Sequence, residues 1–203
     1  MMARPSIQRR TPDHDGGVSL VELLVVLVLL AILAASGVPA TRALVDAGQA
    51  RQAAGFVASR LRIAKQHAVF RTAAEGLVFD WDGDRWTFRV CRDGNGNGLR
   101  RRELSTGPDQ CVEGPYALDD LFPRVRVDVD GSLRGPGGEA GSDDPVRFGR
   151  SDMASFTPAG TATAGSLYLR SAMGVQYAVR VAGLNGRTRI LRFDPGTGRW
   201  QEI

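Results

Sequence analysis

The stretch from Val18 to Val38 is the feature that most constrains this chain, because it is 21 residues long and almost entirely aliphatic. Its aliphatic residues are interrupted at Ser19, Glu22, Ser36 and Gly37. A helix rises about 1.5 Å per residue, so roughly 20 residues cross the apolar core of a bilayer. The run therefore predicts a helix that crosses a membrane once.

The start of this run carries an unusual acid. Glu22 lies inside the apolar stretch, where a carboxylate is costly unless it is paired or functional. A short polar leader that ends at Gly17 precedes the run. Together these features resemble the class III leader of type IV pilins and type II secretion pseudopilins. The resemblance implies that a prepilin peptidase cuts after Gly17 and methylates the new amino terminus at Val18, with Glu22 as the family's acid four residues later.

Pro39 adds to the resemblance, because pilin-type helices often carry a helix-kinking proline at this distance from the cleavage site. Proline removes a backbone donor and bends or breaks a helix. Two other interpretations of the segment stay open. One is a secretory signal peptide cut near residues 34–36, although such peptides have an apolar region of about 7–15 residues and tolerate a charge there poorly. The other is a plain single-span anchor without an assembly role.

Composition fits one anchored domain. Of the 203 residues, 43% are hydrophobic and 24% are charged. Without the first 40 residues, about 160 remain, which is enough for one globular core. The net charge of +4 is mild and does not by itself imply nucleic acid. Arginines in the leader would keep the amino end in the cytoplasm. The chain is therefore predicted to cross the inner membrane once, with its carboxy-terminal domain in the periplasm.

The two cysteines agree with that compartment. Cys91 and Cys111 are 20 positions apart, and an oxidising compartment allows them to pair. Closing a loop of that length would contribute roughly 3 kcal/mol. The alternative is two free, partly buried thiols. A metal site at the cysteines is not expected, because the histidines, His14 and His67, lie far away in the sequence.

After Pro39 the helical pattern continues to about Phe70. Apolar residues recur at spacings of three and four, which is typical of one face of a helix; they include Leu44, Ala47, Ala54, Val57, Leu61, Ala64 and Ala68. From Glu75 the sequence predicts short strands at 76–81, 85–91, 125–129, 145–148, 154–157, 166–170, 176–181, 187–193 and 199–203. A flexible loop is expected at 134–144.

The predicted fold is α+β and pilin-like: a long N-terminal helix, transmembrane in its first half, packs on an antiparallel β-sheet domain of two sheets. Four segments follow from this interpretation. They are a prepilin leader at 1–17, a transmembrane helix at 18–38, an amphipathic continuation of that helix at 39–71, and a periplasmic β domain at 72–203.

The carboxy-terminal half contains the segments Phe-Thr-Pro-Ala-Gly at 156–160 and Gly-Ser-Leu-Tyr-Leu at 165–169, followed by 177–181 and 186–189. The resemblance of these segments is to the GspH/FimT family of minor pseudopilins and minor pilins. It implies a minor pseudopilin of a type II secretion system or a type IV pilus-like filament. Its expected partners are the prepilin peptidase, other pilins or pseudopilins, and the inner membrane.

A possible calcium loop starts at Asp93. Asp93, Asn95 and Asn97 occupy the first, third and fifth places of a calcium-binding loop, and a glycine stands at the sixth. The twelfth place, where a bidentate glutamate belongs, holds Leu104, and Glu103 comes one residue early. Glycine and asparagine also favour plain tight turns. We expect a structural turn and no cofactor, with calcium on Asp93, Asn95, Asn97 and Glu103 as the alternative.

The carboxy-terminal strands are rich in arginine. Arg187 and Arg189 alternate along one predicted strand and therefore point to the same side. With Arg192 or Arg199 they could grip phosphates without reading base sequence. Some FimT-type minor pilins bind DNA for natural transformation through a basic G-R-x-R motif, which Gly-Arg-Thr-Arg at 186–189 resembles. DNA is therefore an alternative partner, while solvated arginines are the simpler interpretation.

Catalytic motifs are absent from the sequence. It contains no G-x-S-x-G, no H-E-x-x-H and no phosphate-binding loop, and the strand region has no histidine that could act as a base. Acidic residues at 80, 82 and 84 cluster at a predicted turn, where solvation explains them. We therefore expect a protein that works by assembly and is not an enzyme.

Overall fold

A computed structural model describes residues 17–203, and for residues 35–40 it describes the helix backbone alone. The predicted leader therefore lies outside the described residues except for Gly17, and so does the side chain of Pro39. Two compact units are distinguished, one ending at Thr41 and the other running from Arg42 to Ile203. The long helix α1, Leu20–Arg71, contains the boundary and continues through position 39.

Helix α1 begins in the first unit, and Glu22 lies in the first turn of this helix. A helix N-terminus carries a partial positive charge, so an acidic side chain is favourable there. The apolar side chains along this part of the helix are exposed all the way from Val18 to Leu33. No helix in the described part of the chain meets the combination of length and apolarity that a bilayer crossing requires.

The second unit holds ten strands and two short helices after α1. The strands are β1 (Glu75–Trp81), β2 (Trp86–Arg92), β3 (Gln110–Ala117), β4 (Val125–Arg126), β5 (Val146–Arg147), β6 (Met153–Phe156), β7 (Gly165–Ser171), β8 (Gln176–Val181), β9 (Thr188–Asp194) and β10 (Arg199–Glu202). The short helices are α2 (Glu103–Thr106) and α3 (Leu118–Leu121).

These strands form two antiparallel sheets. The first sheet has the order β3-β2-β1-β6, and the second has the order β10-β9-β8-β7-β4, with β5 also pairing with β7. The predicted α+β fold, with a long N-terminal helix and an antiparallel sheet domain, is confirmed. The hairpin predicted at residues 82–84 is also present: Trp81 pairs with Trp86, and the carboxylate of Asp82 accepts the backbone N–H groups of Asp84 and Arg85.

The second half of α1 contributes one face to the main core. Its buried residues are mostly small, namely Ala50, Ala53, Ala54, Val57, Ala58, Leu61, Ala64 and Ala68. They share one cluster with buried residues of both sheets, such as Phe79, Phe156 and Leu167. The predicted packing of the helical stripe on the sheet domain is thus confirmed from Ala54 onward. Leu44, which the stripe also included, is 75% exposed.

Two stretches differ from the sequence expectation. β3 was not predicted, although it forms the edge of the first sheet. The strand predicted at 125–129 is only two residues long, because β4 pairs with the last residues of β7 and then leaves the sheet. Val125 lies in the main core, whereas Val129 lies in a separate cluster with Tyr168 and Ala178. The alternation of valines therefore reflects burial on two different surfaces.

Candidate functional site

The amino-terminal segment presents the residues predicted for processing. Gly17, Val18 and Ser19 precede the first helical residue, and the side chain of Val18 is 71% exposed. The carbonyl of Ser19 accepts the N–H of Leu23, which closes the first turn of α1. An accessible peptide outside regular secondary structure is the form of chain that a peptidase can bind.

Glu22 is exposed in this first turn. Within residues 17–203 no arginine, lysine or histidine lies within ion-pair distance of its carboxylate. The carboxylate is surrounded along the helix by exposed valine and leucine side chains. An apolar surface of this extent needs a lipid or protein environment. In that environment the Glu22 carboxylate would need a positively charged partner from outside the described chain.

A disulfide joins Cys91 of β2 to Cys111 of β3. The two residues are opposite one another in the strand register, and Cys91 is fully buried. The predicted pairing is therefore present. The bond holds the base of the loop formed by residues 93–109, which contains the possible calcium ligands.

The four predicted calcium ligands come together in this loop, but their oxygens bind groups of the loop itself. One carboxylate oxygen of Asp93 accepts the N–H groups of Asn95 and Gly96, and the other accepts the N–H of Gly98. Burial raises the pKa of Asp93, but these backbone hydrogen bonds lower it more, so the net pKa lies below the ordinary 3.8. The side-chain amides of Asn95 and Asn97 donate to Glu103.

Asp109 completes this arrangement, although no sequence motif singled it out. It is 3% exposed, and its two carboxylate oxygens accept the N–H groups of Gly94 and Arg100. Among the residues described, there is no group of three or more histidine, cysteine, aspartate or glutamate side chains placed to hold a metal ion. The hydrogen bonds are those of a self-supporting loop, and calcium binding at Asp93 and Glu103 stays a prediction.

The four arginines proposed for DNA lie on two different faces of the second sheet. Ile190 of β9 packs against the main core, so its alternating neighbours Arg189 and Leu191 point to the outer face. Arg187 precedes β9, and it and Arg189 contact the same carboxylate, that of Glu202 on β10. Arg192 lies on the opposite face and pairs in register with Gln201, two residues from Arg199. The structure therefore brings Arg187 and Arg189 together and separates them from Arg192 and Arg199.

Strand register adds two further arginines to the outer face. Arg189 is opposite Arg180 of β8, Arg180 is opposite Ser166 of β7, and Ser166 is opposite Arg147 of β5. We call the group Arg147, Arg180, Arg187 and Arg189 the arginine row. The sequence did not indicate Arg147 and Arg180, because only the order and register of the strands place them beside Arg189.

Carboxylates partly neutralise the arginine row. The Glu202 carboxylate lies 3.2 Å from the Arg187 guanidinium and 3.5 Å from the Arg189 guanidinium. The Glu139 carboxylate lies 3.1 Å from the guanidinium of Arg180. Burial raises the pKa of Glu139, but hydrogen bonds from backbone N–H groups and the charge of Arg180 lower it more, so its pKa falls below 4.5. Arg147 instead stacks 4.6 Å from the ring centre of Tyr168.

Comparison with known families gives one match. Residues 13–38 match the prokaryotic N-terminal methylation motif, which covers the predicted cleavage site, the acid and the apolar run. Neither a curated protein nor a solved structure matches the chain. The matched motif is that of the class III prepilin leader, and it supports a type IV pilin-like or pseudopilin-like protein that a prepilin peptidase processes.

Proposed function

We propose that the chain is a minor pseudopilin of a type II secretion system or of a type IV pilus-like filament, of the GspH/FimT kind. The match of residues 13–38 to the N-terminal methylation motif is the observation that carries this proposal. The same motif supports a membrane-anchored amino terminus. We further propose that the protein acts by assembly and not by catalysis.

The architecture is consistent with such a subunit. The first part of α1 exposes a continuous apolar surface, and the second part is covered by a folded β domain with its own core. Apolar side chains that point in all directions favour lipid or other helices as neighbours. The subunit would therefore leave the bilayer by exchanging lipid for the equivalent helices of other subunits, with the β domain on the filament surface or at its tip.

Processing is the first step to test. In cells that contain a prepilin peptidase, the mature protein should lack the first 17 residues, begin at Val18 and carry one methyl group on its new amino terminus. Replacing Gly17 by leucine should block cleavage, because the peptidase requires a small residue at this position. Intact-mass measurement of the purified protein distinguishes the two forms.

A matched substitution controls for damage to the segment. Ser19→Ala, on the other side of the cleavage site, should leave cleavage and methylation unchanged. Retention of all 203 residues in the wild-type protein, in cells that process other prepilins, would contradict the proposal.

DNA binding is a second candidate function, and the arginine row is the observation that favours it. Three guanidinium groups in register across β5, β8 and β9, with Arg187 beside them, form a basic strip on one face. Phosphate contacts of this kind bind without reading sequence and weaken as salt is added. Glu139 and Glu202 would be the competitors that a DNA phosphate must displace.

The row can be tested against the arginines on the opposite face. The full chain in nonionic detergent is titrated with duplex DNA over a salt series. Arg187→Gln/Arg189→Gln should abolish most of the binding, whereas Arg192→Gln/Arg199→Gln, which removes the same charge, should retain it. Equal losses in the two double variants would show that only net charge matters. Absence of DNA binding at low salt would contradict this second function, and assembly into a filament would remain as the proposed role.

A further inference from the structure

A cleft at one end of the β domain has no role in the function proposed above. It encloses about 420 Å³ between the β1–β2 hairpin, α3, β4 and the segment before β5. Pockets for small groups fall in the range of roughly 300–1,000 Å³. Two of its walls are tryptophans, Trp81 and Trp86, whose ring centres lie 5.7 Å apart at an angle of 60°.

Trp81 presents an exposed ring to a ligand, whereas Trp86 is partly buried against the main core. Trp81 is 55% exposed, although a large aromatic side chain at the end of a strand could have packed into the core. Among the described residues, cations lie over the rings of Phe56, Tyr116 and Tyr168, and none lies over Trp81 or Trp86. Tryptophan is the ring that attracts a cation most strongly, through the negative potential of its face.

The charges around the cleft favour a cationic ligand. Asp84 and Asp143 line it, and neither carboxylate has an ion pair or a side-chain hydrogen bond among the described residues. Arg85, also in the lining, is already held by Asp82, Asp119 and Asp120. The hydrogen bonds that Arg85 donates to Asp120 and Asp119 raise its pKa, so this guanidinium stays charged and satisfied. Arg126 is the one lining cation without such a partner in the described part of the chain.

We infer that this cleft binds the guanidinium group of an arginine presented by a partner protein subunit. A planar guanidinium stacks on an indole face and donates in parallel to carboxylate oxygens, which a compact ammonium group cannot do equally well. A second copy of this chain would present arginine far more often than lysine, because the chain has 25 arginines and one lysine. The inference depends on the tryptophans and carboxylates of the cleft, and not on the methylation motif.

A neutral sugar is the ligand class that the cleft could otherwise accept, since sugars also stack on exposed tryptophans. The unpaired carboxylates favour the cation, because a neutral ligand gains no Coulomb energy from Asp84 and Asp143. The affinities of the two ligand classes should also differ in their response to removal of a positive charge from the cleft. Removing Arg126 should strengthen the binding of a cation and should not strengthen the binding of a sugar.

The test uses the full chain in nonionic detergent with Trp200→Phe, so that fluorescence reports on Trp81 and Trp86 alone. The probe is the peptide acetyl-Gly-Arg-Gly-amide, compared with the same peptide carrying citrulline, which has the shape of arginine without its charge. The arginine peptide should bind about tenfold more tightly. Asp84→Asn/Asp143→Asn should remove most of this preference, and Arg126→Gln should increase it.

Controls separate the cleft from general electrostatics. Asp194→Asn, at the turn between β9 and β10, should leave the preference for arginine unchanged. Trp81→Ala should weaken binding of the arginine peptide while the circular dichroism spectrum stays that of the parent protein. Equal affinity for the two peptides would overturn the inference, and so would tighter binding of a neutral hexasaccharide that Arg126→Gln leaves unchanged.

Discussion

Asp80 illustrates how single charges hold the β domain together. Its carboxylate accepts hydrogen bonds from Arg89 on the neighbouring strand at 2.9 Å and from Arg101 in the 93–109 loop at 2.6 Å. Arg101 also donates to the backbone carbonyls of Phe79 and Ser151. Burial raises the pKa of Asp80, but the hydrogen bonds and charges of Arg101 and Arg89 lower it more, so the net pKa lies below 3.8.

This shift makes the contribution of Asp80 depend on pH. Because the pKa is lower in the folded state, the ionised form stabilises the protein above about pH 3.8, and this stabilisation is lost as the pH falls through the folded-state pKa. Asp80→Asn should lower the free energy of unfolding at pH 7 by about 1–2 kcal/mol. The difference from wild type should shrink in acid, as measured by urea denaturation at several pH values. Asp143→Asn, which removes a carboxylate without an ion pair among the described residues, is the matched control and should leave the free energy of unfolding at pH 7 unchanged.

Asp46 shows why the burial of a charged residue could not be predicted from the sequence. Asp46 is not part of the apolar stripe of α1, yet it is fully buried. Its carboxylate accepts hydrogen bonds from Arg124 and from the backbone N–H of Met173, more than 75 positions away. Helical periodicity shows which side of a helix a residue occupies. It does not show which loop of the domain will cover that residue.

The β2–β3 pair is the element that the disulfide stabilises. Replacing Cys91 and Cys111 by alanine should reduce the free energy of unfolding by roughly 3 kcal/mol, because the open chain regains the entropy of a loop of about 20 residues. Urea denaturation of the oxidised wild type and the double variant measures the loss. Wild type unfolded in the presence of a reductant should match the variant. An unchanged urea midpoint in the variant would mean that the hydrogen bonds of Asp93 and Asp109 suffice to hold the loop.

The same pair shows the limit of strand prediction. Residues 110–117 contain Gly114 and Pro115, which normally argue against a strand. β3 tolerates the proline because it lies at the edge of its sheet and pairs on one side alone, with a register shift between Phe88 and Val90 where Gly114 and Pro115 lie. By contrast, β8 and β9 contain neither glycine nor proline and lie on either side of the turn signal at residues 185–186, and the sequence located both strands to within one residue.

At the scale of the whole molecule, the two units have opposite surface properties. The apolar residues from Val18 to Leu33 are exposed, whereas the second unit buries a core of apolar residues from α1 and both sheets. The sequence predicted this division because an aliphatic run and a helical stripe are local patterns. The arginine row and the tryptophan cleft could not be predicted in full. Trp81 and Trp86 lie on one hairpin, but Arg126 and Asp143 of the cleft, like Arg147 of the row, come from segments that are far away in the sequence.

Glu22 connects the subunit to its assembly. In a filament its carboxylate would be surrounded by apolar helices, where leaving one partner of a buried ion pair alone costs about 3–5 kcal/mol. We expect the partner to be the amino terminus at Val18 of the same or a neighbouring subunit, once the peptidase has freed it. Glu22→Ala should therefore permit cleavage and methylation but reduce incorporation into filaments strongly.

The measurement compares the amount of the variant in sheared filaments with the amount left in the membrane, beside the intact mass of each pool. Glu139→Ala, a carboxylate of the β domain, is the control and should assemble as wild type does. Glu22→Gln sharpens the result: it keeps the size of the side chain and removes the charge, so it should fail like Glu22→Ala if the ion pair sets the register. Normal assembly of both Glu22 variants would show that apolar contacts of α1 are sufficient.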